Sequence, residues 1–341
     1  MAERMQCGLV GYGAFGRFHA RSIAKAPGAH LAAIATSEST HADAIRDFPA
    51  ARHHLDWRAL IDDRTLGAIV IAAPNHLHAD IAVAALEAGK HVLVEKPMAT
   101  TLADCDRVVA AAEAALRTGT VLTVGLQCRL SPQWGRVKAL IAENTIGRPR
   151  HVHVALFRHP YRQGSSGWRY DRARVGSWIL EEPVHFFDLA LWYLADAGRP
   201  VSVRAISAGD AGMEPVISVL MRFPDGSTAA VNQILSGFGH MQTVEVTGNV
   251  GAIRATWNAE TARSTNPAVD LKLMRGGTDS VETIPIERSG EVFELEAQAA
   301  AAIAGFRAGR SLVSATEGRA AVAVCLAAEE SARLSGREVD V

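Results

Sequence analysis

The chain has 341 residues, 48% of them hydrophobic and 21% charged, with a formal net charge of -1. That length exceeds what one hydrophobic core usually supports, so two domains are expected, and the composition excludes long disordered tracts. No run of Lys and Arg stands out to meet nucleic acid or an anionic membrane, and no apolar run approaches the roughly 20 residues that span a bilayer.

The opening apolar stretch is too short for a signal segment and runs straight into a glycine turn. Cys7, Cys105, Cys128 and Cys325 are scattered without a CxxC pair, which points to free thiols in a reducing cytosol. The expectation is a cytoplasmic protein.

In chain order, Gln6 to Val10 reads as a strand, followed by Gly11-Tyr12-Gly13-Ala14-Phe15-Gly16 and a helix through Ile23. His30 to Ala35 and Ala68 to Ala73 are further strands. Pro74-Asn75 then leads into a helix over Ala79 to Ala88, which Gly89 caps. His91 to Val94 is a strand, Leu102 to Leu116 a helix, and Val121 to Leu126 closes the series. Continuous apolar strands alternating with helices predict a parallel, doubly wound sheet covered on both faces. The dinucleotide-binding domain is therefore placed at 1–125 and an α+β domain at 126–341.

In the second part, Ser131-Pro132 opens a helix to about Glu143, and Gly147-Arg148-Pro149 ends it. Strands are predicted over Arg150 to Phe157, Val201 to Ala208, Val216 to Phe223 and Thr228 to Leu235, with Pro224-Asp225-Gly226 as a hairpin turn. Alternation in the first of these predicts a sheet with one exposed or pocket-lining face. Two helices close the chain between Glu294 and Gly336, parted near Gly309 to Ser314.

A GxGxxG pattern alone is weak, but here it follows a strand and opens a helix, as the motif requires. Gly11 permits the tight turn, Gly13 lets a pyrophosphate approach the backbone and Gly16 lets the helix pack closely on the strand. Ala14 and Phe15 complete a turn whose N–H groups would meet phosphate. A strand–helix turn with no ligand is the bland alternative. At the adenosine end the second strand leads to Thr36-Ser37 with Glu38 just beyond. Hydroxyls favour a 2′-phosphate, helped by Arg17, whereas Glu38 favours a free 2′-hydroxyl. The cofactor is read as NAD or NADP, leaning to NADP.

Glu95-Lys96-Pro97 follows a strand at the carboxyl edge of the sheet, where open α/β sheets bind ligands. Lys96 can orient the cofactor ribose and the reacting oxygen; the alternative is a solvated lysine. In Glu181-Glu182-Pro183-Val184-His185-Phe186-Phe187-Asp188, Pro183 suits a first helical turn. His185 and Asp188 then share a face, with Glu181 at the entry of the same stripe. Acid and imidazole in an apolar frame are costly unless paired or used, and a helix-start charge pair beside a satisfied core histidine is the alternative. His151, His153 and His159 read as ordinary strand and loop residues, and no metal site is expected.

Together GYGAFG, Pro74-Asn75-His76-Leu77-His78, Glu95-Lys96-Pro97 and Glu-x-x-x-His-x-x-Asp resemble, in order and spacing, the Gfo/Idh/MocA oxidoreductases. Gly125 to Arg129 resembles the family's domain junction. The resemblance implies a Rossmann domain followed by an α+β domain with a large open-faced β-sheet, commonly used for oligomerisation, and so a homodimer or homotetramer. It implies that Lys96, Glu181, His185 and Asp188 are catalytic, and that Ala73, Pro74, Asn75, His78, Glu95 and the Trp168-Arg169 pair lie at the cofactor. Lys96, Arg129, Arg158, Tyr161, Glu181 and His185 are expected at the substrate. Glu181 stands where Asp is more usual and Pro183 where Gly is common, so the substrate does not carry over. The expected activity is hydride transfer between NAD(P) and a secondary hydroxyl or carbonyl of a sugar, inositol or related polyol. A sugar lyase or glycosidase using transient oxidation, and a non-catalytic dinucleotide-binding regulator, are the competing readings.

Overall fold

The computed structural model describes residues 4–210, 212–235, 237–276 and 280–341. They divide into two compact units, the first made of 1–126, 163–176 and 295–322, the second of 127–162, 177–294 and 323–341.

The first unit begins β1 (Met5–Val10), α1 (Ala14–Lys25), β2 (Ala29–Ala35), α2 (Glu38–Asp47), β3 (Arg52–His54) and α3 (Arg58–Asp62). It continues β4 (Ala68–Ile71), α4 (His78–Glu87), β5 (His91–Glu95), α5 (Leu102–Leu116) and β6 (Leu122–Gly125). All strand pairs are parallel, in the order β3-β2-β1-β4-β5-β6. The order reverses between β1 and β4, and the crevice beyond that point is where doubly wound sheets take ligands. β4 is buried at every position, as expected for a strand covered on both faces.

The segment between Ala35 and Ala68 contains two helices and a strand that the hydrophobic pattern did not reveal. The reason is α2, whose only buried residue is Ala44, so it carries no apolar stripe to read.

The rest of the chain runs α6 (Pro132–Ala142), β7 (Pro149–Arg158), α7 (Arg172–Val175), α8 (Trp178–Glu181), α9 (Pro183–Tyr193), β8 (Ser202–Ala208), β9 (Val216–Arg222) and β10 (Thr228–Ile234). Then come β11 (His240–Gly248), β12 (Ala252–Ala259), β13 (Ala268–Met274), β14 (Val281–Thr283), α10 (Glu291–Arg307), α11 (Ala315–Arg333) and β15 (Val339–Asp340). Among the described residues the second unit holds a nine-stranded sheet, β14-β13-β12-β11-β7-β10-β9-β8-β15. β7 and β10 pair in parallel and the other neighbours antiparallel. Burial alternates residue by residue along β9 and β10, so one face is packed and the other open. The turn at Pro224-Asp225-Gly226 joins these two strands in register, Arg222 opposite Thr228.

In the first unit a core of Leu9, Ile23, Ile34, Val70 and Leu93 is covered by Ile303 and Phe306 of α10. All four cysteines are buried. No helix among the described residues is long and apolar enough to cross a membrane.

Candidate active site

The glycine turn after β1 leaves no room for side chains. Gly11 has φ +96°, and a Cβ there would lie 2.4 Å from the Ala72 carbonyl oxygen. A Cβ at Gly16 would lie 2.1 Å from the Gly11 oxygen. Gly13 caps α1 without any side-chain bond, and Ala14 is exposed. The start of α1 therefore opens outward with its first-turn N–H groups and positive dipole end. These residues fit a dinucleotide pyrophosphate, and Phe15 in the same turn is half-buried.

At the end of β2 the hydroxyl of Thr36 is already engaged. It accepts the Tyr12 N–H at 3.0 Å and lies 2.6 Å from the Thr40 hydroxyl. Ser37 is exposed and bonds Ser39 at 3.0 Å. Arg17 pairs with Asp43, reaches Asp47 at 3.2 Å and sits 5.1 Å over the Tyr12 ring. Its charge is thus already met by carboxylates.

After β4, Ala73-Pro74 leads to Asn75, which is buried and donates from its amide to the Val175 carbonyl at 3.0 Å. His78 is also buried, with Nδ1 2.7 Å from the Pro97 oxygen and Nε2 2.8 Å from the Ala73 oxygen. Burial pushes its pKa below the usual histidine range, although both carbonyls pull the other way. His78 thereby ties the two loops at the carboxyl edge together. Glu95 is buried, and its Oε2 accepts the Lys96 N–H at 3.1 Å. Lys96 is half-buried and joined to Pro97 by a cis peptide. Trp168 and Arg169 stack on one another in the short helix Ser165–Tyr170, guanidinium 4.8 Å from the ring.

In the second unit Glu181, His185 and Asp188 are 4%, 5% and 1% exposed. The expectation of one continuous stripe needs correction. Glu181 ends α8, and Glu182 leaves the helical region (φ −127°, ψ −45°) before α9 begins at Pro183. Proline's ring disfavours the helical conformation in the residue before it, so the break is written at Glu182. His185 and Asp188 do share α9. Both oxygens of Asp188 are held by Arg129, from Nε at 2.9 Å and Nη2 at 2.7 Å, a fork-to-carboxylate pair. Arg158 donates to Glu182 at 2.6 Å and lies 4.8 Å over the Tyr161 ring. Tyr161 is buried and donates its hydroxyl proton to Gln233 at 2.8 Å.

Comparison with known proteins bears on this geometry. Residues 5–125 match the model of the oxidoreductase family with NAD-binding Rossmann fold, and 134–254 match the GFO/IDH/MocA C-terminal domain. The inositol 2-dehydrogenase of Rubrobacter xylanophilus is 30% identical over 74% of this chain and 72% of its own length. The chain belongs to the Gfo/Idh/MocA family. The levoglucosan dehydrogenase of Pseudarthrobacter phenanthrenivorans is 27% identical over 74% of this chain and 73% of its own. A solved levoglucosan dehydrogenase in complex with NADH and levoglucosan superposes with a TM-score of 0.86 at 25% identity, covering 99% of this chain and 100% of that one.

Sequence reasoning missed several polar residues of this Gfo/Idh/MocA chain. His240 opens β11 directly opposite Arg158. It packs edge-on against Trp257 with centroids 5.4 Å apart and bonds Gln242 at 2.8 Å, and burial pushes its pKa down to about 4. Strand register is a tertiary fact, and no local pattern carried it. His19, buried in α1, had a readable signal: it lies three residues past Gly16, on the same inward face.

Proposed function

We propose that this protein is a dehydrogenase that moves a hydride between NAD(H) and a secondary hydroxyl or carbonyl of a neutral sugar, inositol or similar polyol. Residues 1–125 supply the cofactor site and the later part of the chain the substrate site. One observation carries the reading: within eight residues of the second unit an imidazole and two carboxyls are buried together, which is costly unless they are paired or used.

Gly11, Gly13, Ala14, Phe15 and Gly16 hold the pyrophosphate, and bound NAD supplies a hydride acceptor at the nicotinamide. His185 would take the substrate's hydroxyl proton during oxidation and return it during reduction. Lys96 would donate a hydrogen bond to a substrate oxygen and stabilise developing alkoxide charge. Glu181 and Asp188 orient the imidazole and neighbouring hydroxyls.

Two features refine substrate and cofactor. Arg129 and Arg158 are each matched to a carboxylate, which favours neutral polyols over sugar acids. The sequence leans to NADP, but the engagement of Thr36 and Arg17 moves the proposal to NAD, with Glu38 toward the ribose.

The test is a panel of inositols, aldoses, keto-sugars and uronates, followed by nicotinamide absorbance with NAD and NADP in parallel. Stoichiometric reduction of NAD by neutral polyols is expected. Turnover confined to uronates would remove the charge argument, and sugar conversion without net NAD reduction would replace dehydrogenation by transient oxidation.

A further inference from the structure

A chain of contacts runs through the first unit from the glycine turn to Lys96, hydrogen-bonded from His19 onward. His19 lies on α1 one turn past Gly16 and is fully buried. Its Nε2 is 2.8 Å from Oε1 of Glu95, which is itself buried at the end of β5. The other carboxylate oxygen, Oε2, accepts the backbone N–H of Lys96 at 3.1 Å. A carboxylate accepts, so this partner assigns the ring proton to Nε2. Nδ1 of His19 is buried with no hydrogen-bond partner among the described residues. Leaving a buried polar atom unsatisfied costs stability, and an apolar side chain of similar size would avoid that cost.

Space is also reserved for this chain. Gly125 stands opposite Glu95 across the β5–β6 pair, and a Cβ there would lie 2.8 Å from Glu95 Oε1 and 3.0 Å from its Cα. At the other end, Phe15 of the glycine turn meets the His19 ring edge-on, with centroids 5.3 Å apart.

We propose that His19 is a positioning residue for the reaction. Through Glu95 it fixes the backbone of Lys96, so the turn that takes the dinucleotide and the lysine that meets the substrate oxygen are set by one chain of contacts, Phe15–His19–Glu95–Lys96, buried at its two middle members. This rests on the role given to Lys96 under the proposed function. Glu95 thereby acts as a bracket for its neighbour.

The test compares His19→Leu, His19→Gln and Gly125→Ala with the parent. Leucine removes the donor, glutamine keeps an N–H near the position of Nε2, and the alanine presses on Glu95, its Cβ 2.8 Å from Oε1 and 3.0 Å from Cα. Three measurements are made: steady-state kinetics for kcat and KM, NADH affinity by fluorescence, and the ¹³C resonances of reductively methylated lysines with and without NADH. The chain has only five lysines, so Lys96→Arg assigns the relevant signal.

His19→Leu and Gly125→Ala are expected to lower kcat on the order of 10²-fold, as misplacement of a catalytic group does, with NADH affinity within about threefold. In both, the Lys96 resonance loses its response to NADH, and His19→Gln recovers most of both effects. A parent-like Lys96 response in His19→Leu overturns the proposal. So does a glutamine variant as defective as the leucine one with weakened NADH binding, because that marks a packing role. If His19→Leu does not fold, Gly125→Ala decides by the same readouts. Should the parent oxidise no polyol, the dehydrogenase reading fails, while the NADH response of Lys96 still decides whether His19 positions it.

Discussion

Three buried histidines separate by what their ring nitrogens face. His78 has a backbone carbonyl at each nitrogen, and a neutral ring carries only one N–H, so it serves as a strut between loops. His240 is pinned by Gln242 and Trp257, and burial holds it deprotonated down to about pH 4. His185 sits on α9 with Asp188, whose charge is already matched by Arg129. General acid–base help is worth roughly 10²–10⁴-fold, so His185→Ala is expected to lower turnover at least 10²-fold with NADH affinity nearly intact. Steady-state kinetics with fluorescence titration checks this, and unchanged turnover would take the histidine out of the chemistry. The sequence pattern displayed His185 and Asp188 on one helical face. It was silent on the pairing of Asp188 with Arg129, because that partner arrives from 59 residues away.

Secondary-structure elements carry the pH dependence. Glu294 lies in the first turn of α10, accepts the Gly290 N–H at 3.3 Å and is buried. Burial is the main reason its pKa rises from 4.5 to about 7, with the nearby Glu291 charge adding to it. The folded state then binds more protons than the unfolded one across that window, so this carboxyl's contribution is full below pH 4.5 and is lost as pH rises through 7. The two limits differ by roughly 3 kcal/mol. Removing the charge with Glu294→Gln should therefore stabilise the protein relative to the parent at pH 8 but not at pH 5. Thermal unfolding at both pH values decides, and an equal difference at the two would rule the carboxyl out. His240 acts with the opposite sign: its contribution is full above pH 6.5 and is lost as pH falls toward 4. Elements with apolar runs, such as β4 and the segment after Pro183, were legible in the sequence. α2 was not, because it buries a single residue and so shows no apolar stripe.

At the scale of the whole molecule, the strand–helix alternation announced the doubly wound sheet. Local pattern could not show that 163–176 and 295–322 belong with it, because membership of a compact unit is decided by contacts between distant segments. The open-faced second sheet was foreshadowed by alternation in β7, whereas its strand order follows from pairings such as β7 with both β10 and β11. The placement of the thiols has a practical consequence. Cys7 and Cys105 fall in the first unit, Cys128 and Cys325 in the second, and burial pushes Cys7 and Cys105 up to about 12 and Cys128 well above its ordinary value. Only the thiolate attacks an alkylating reagent, so modification of the native protein should wait on transient opening. Mass-spectrometric timing of alkylation at each position then gives a separate clock for each half of the molecule, and prompt alkylation of the native protein would refute it. Saturating NADH should slow the clocks at Cys7 and Cys105, since a ligand that binds only the closed form holds it shut.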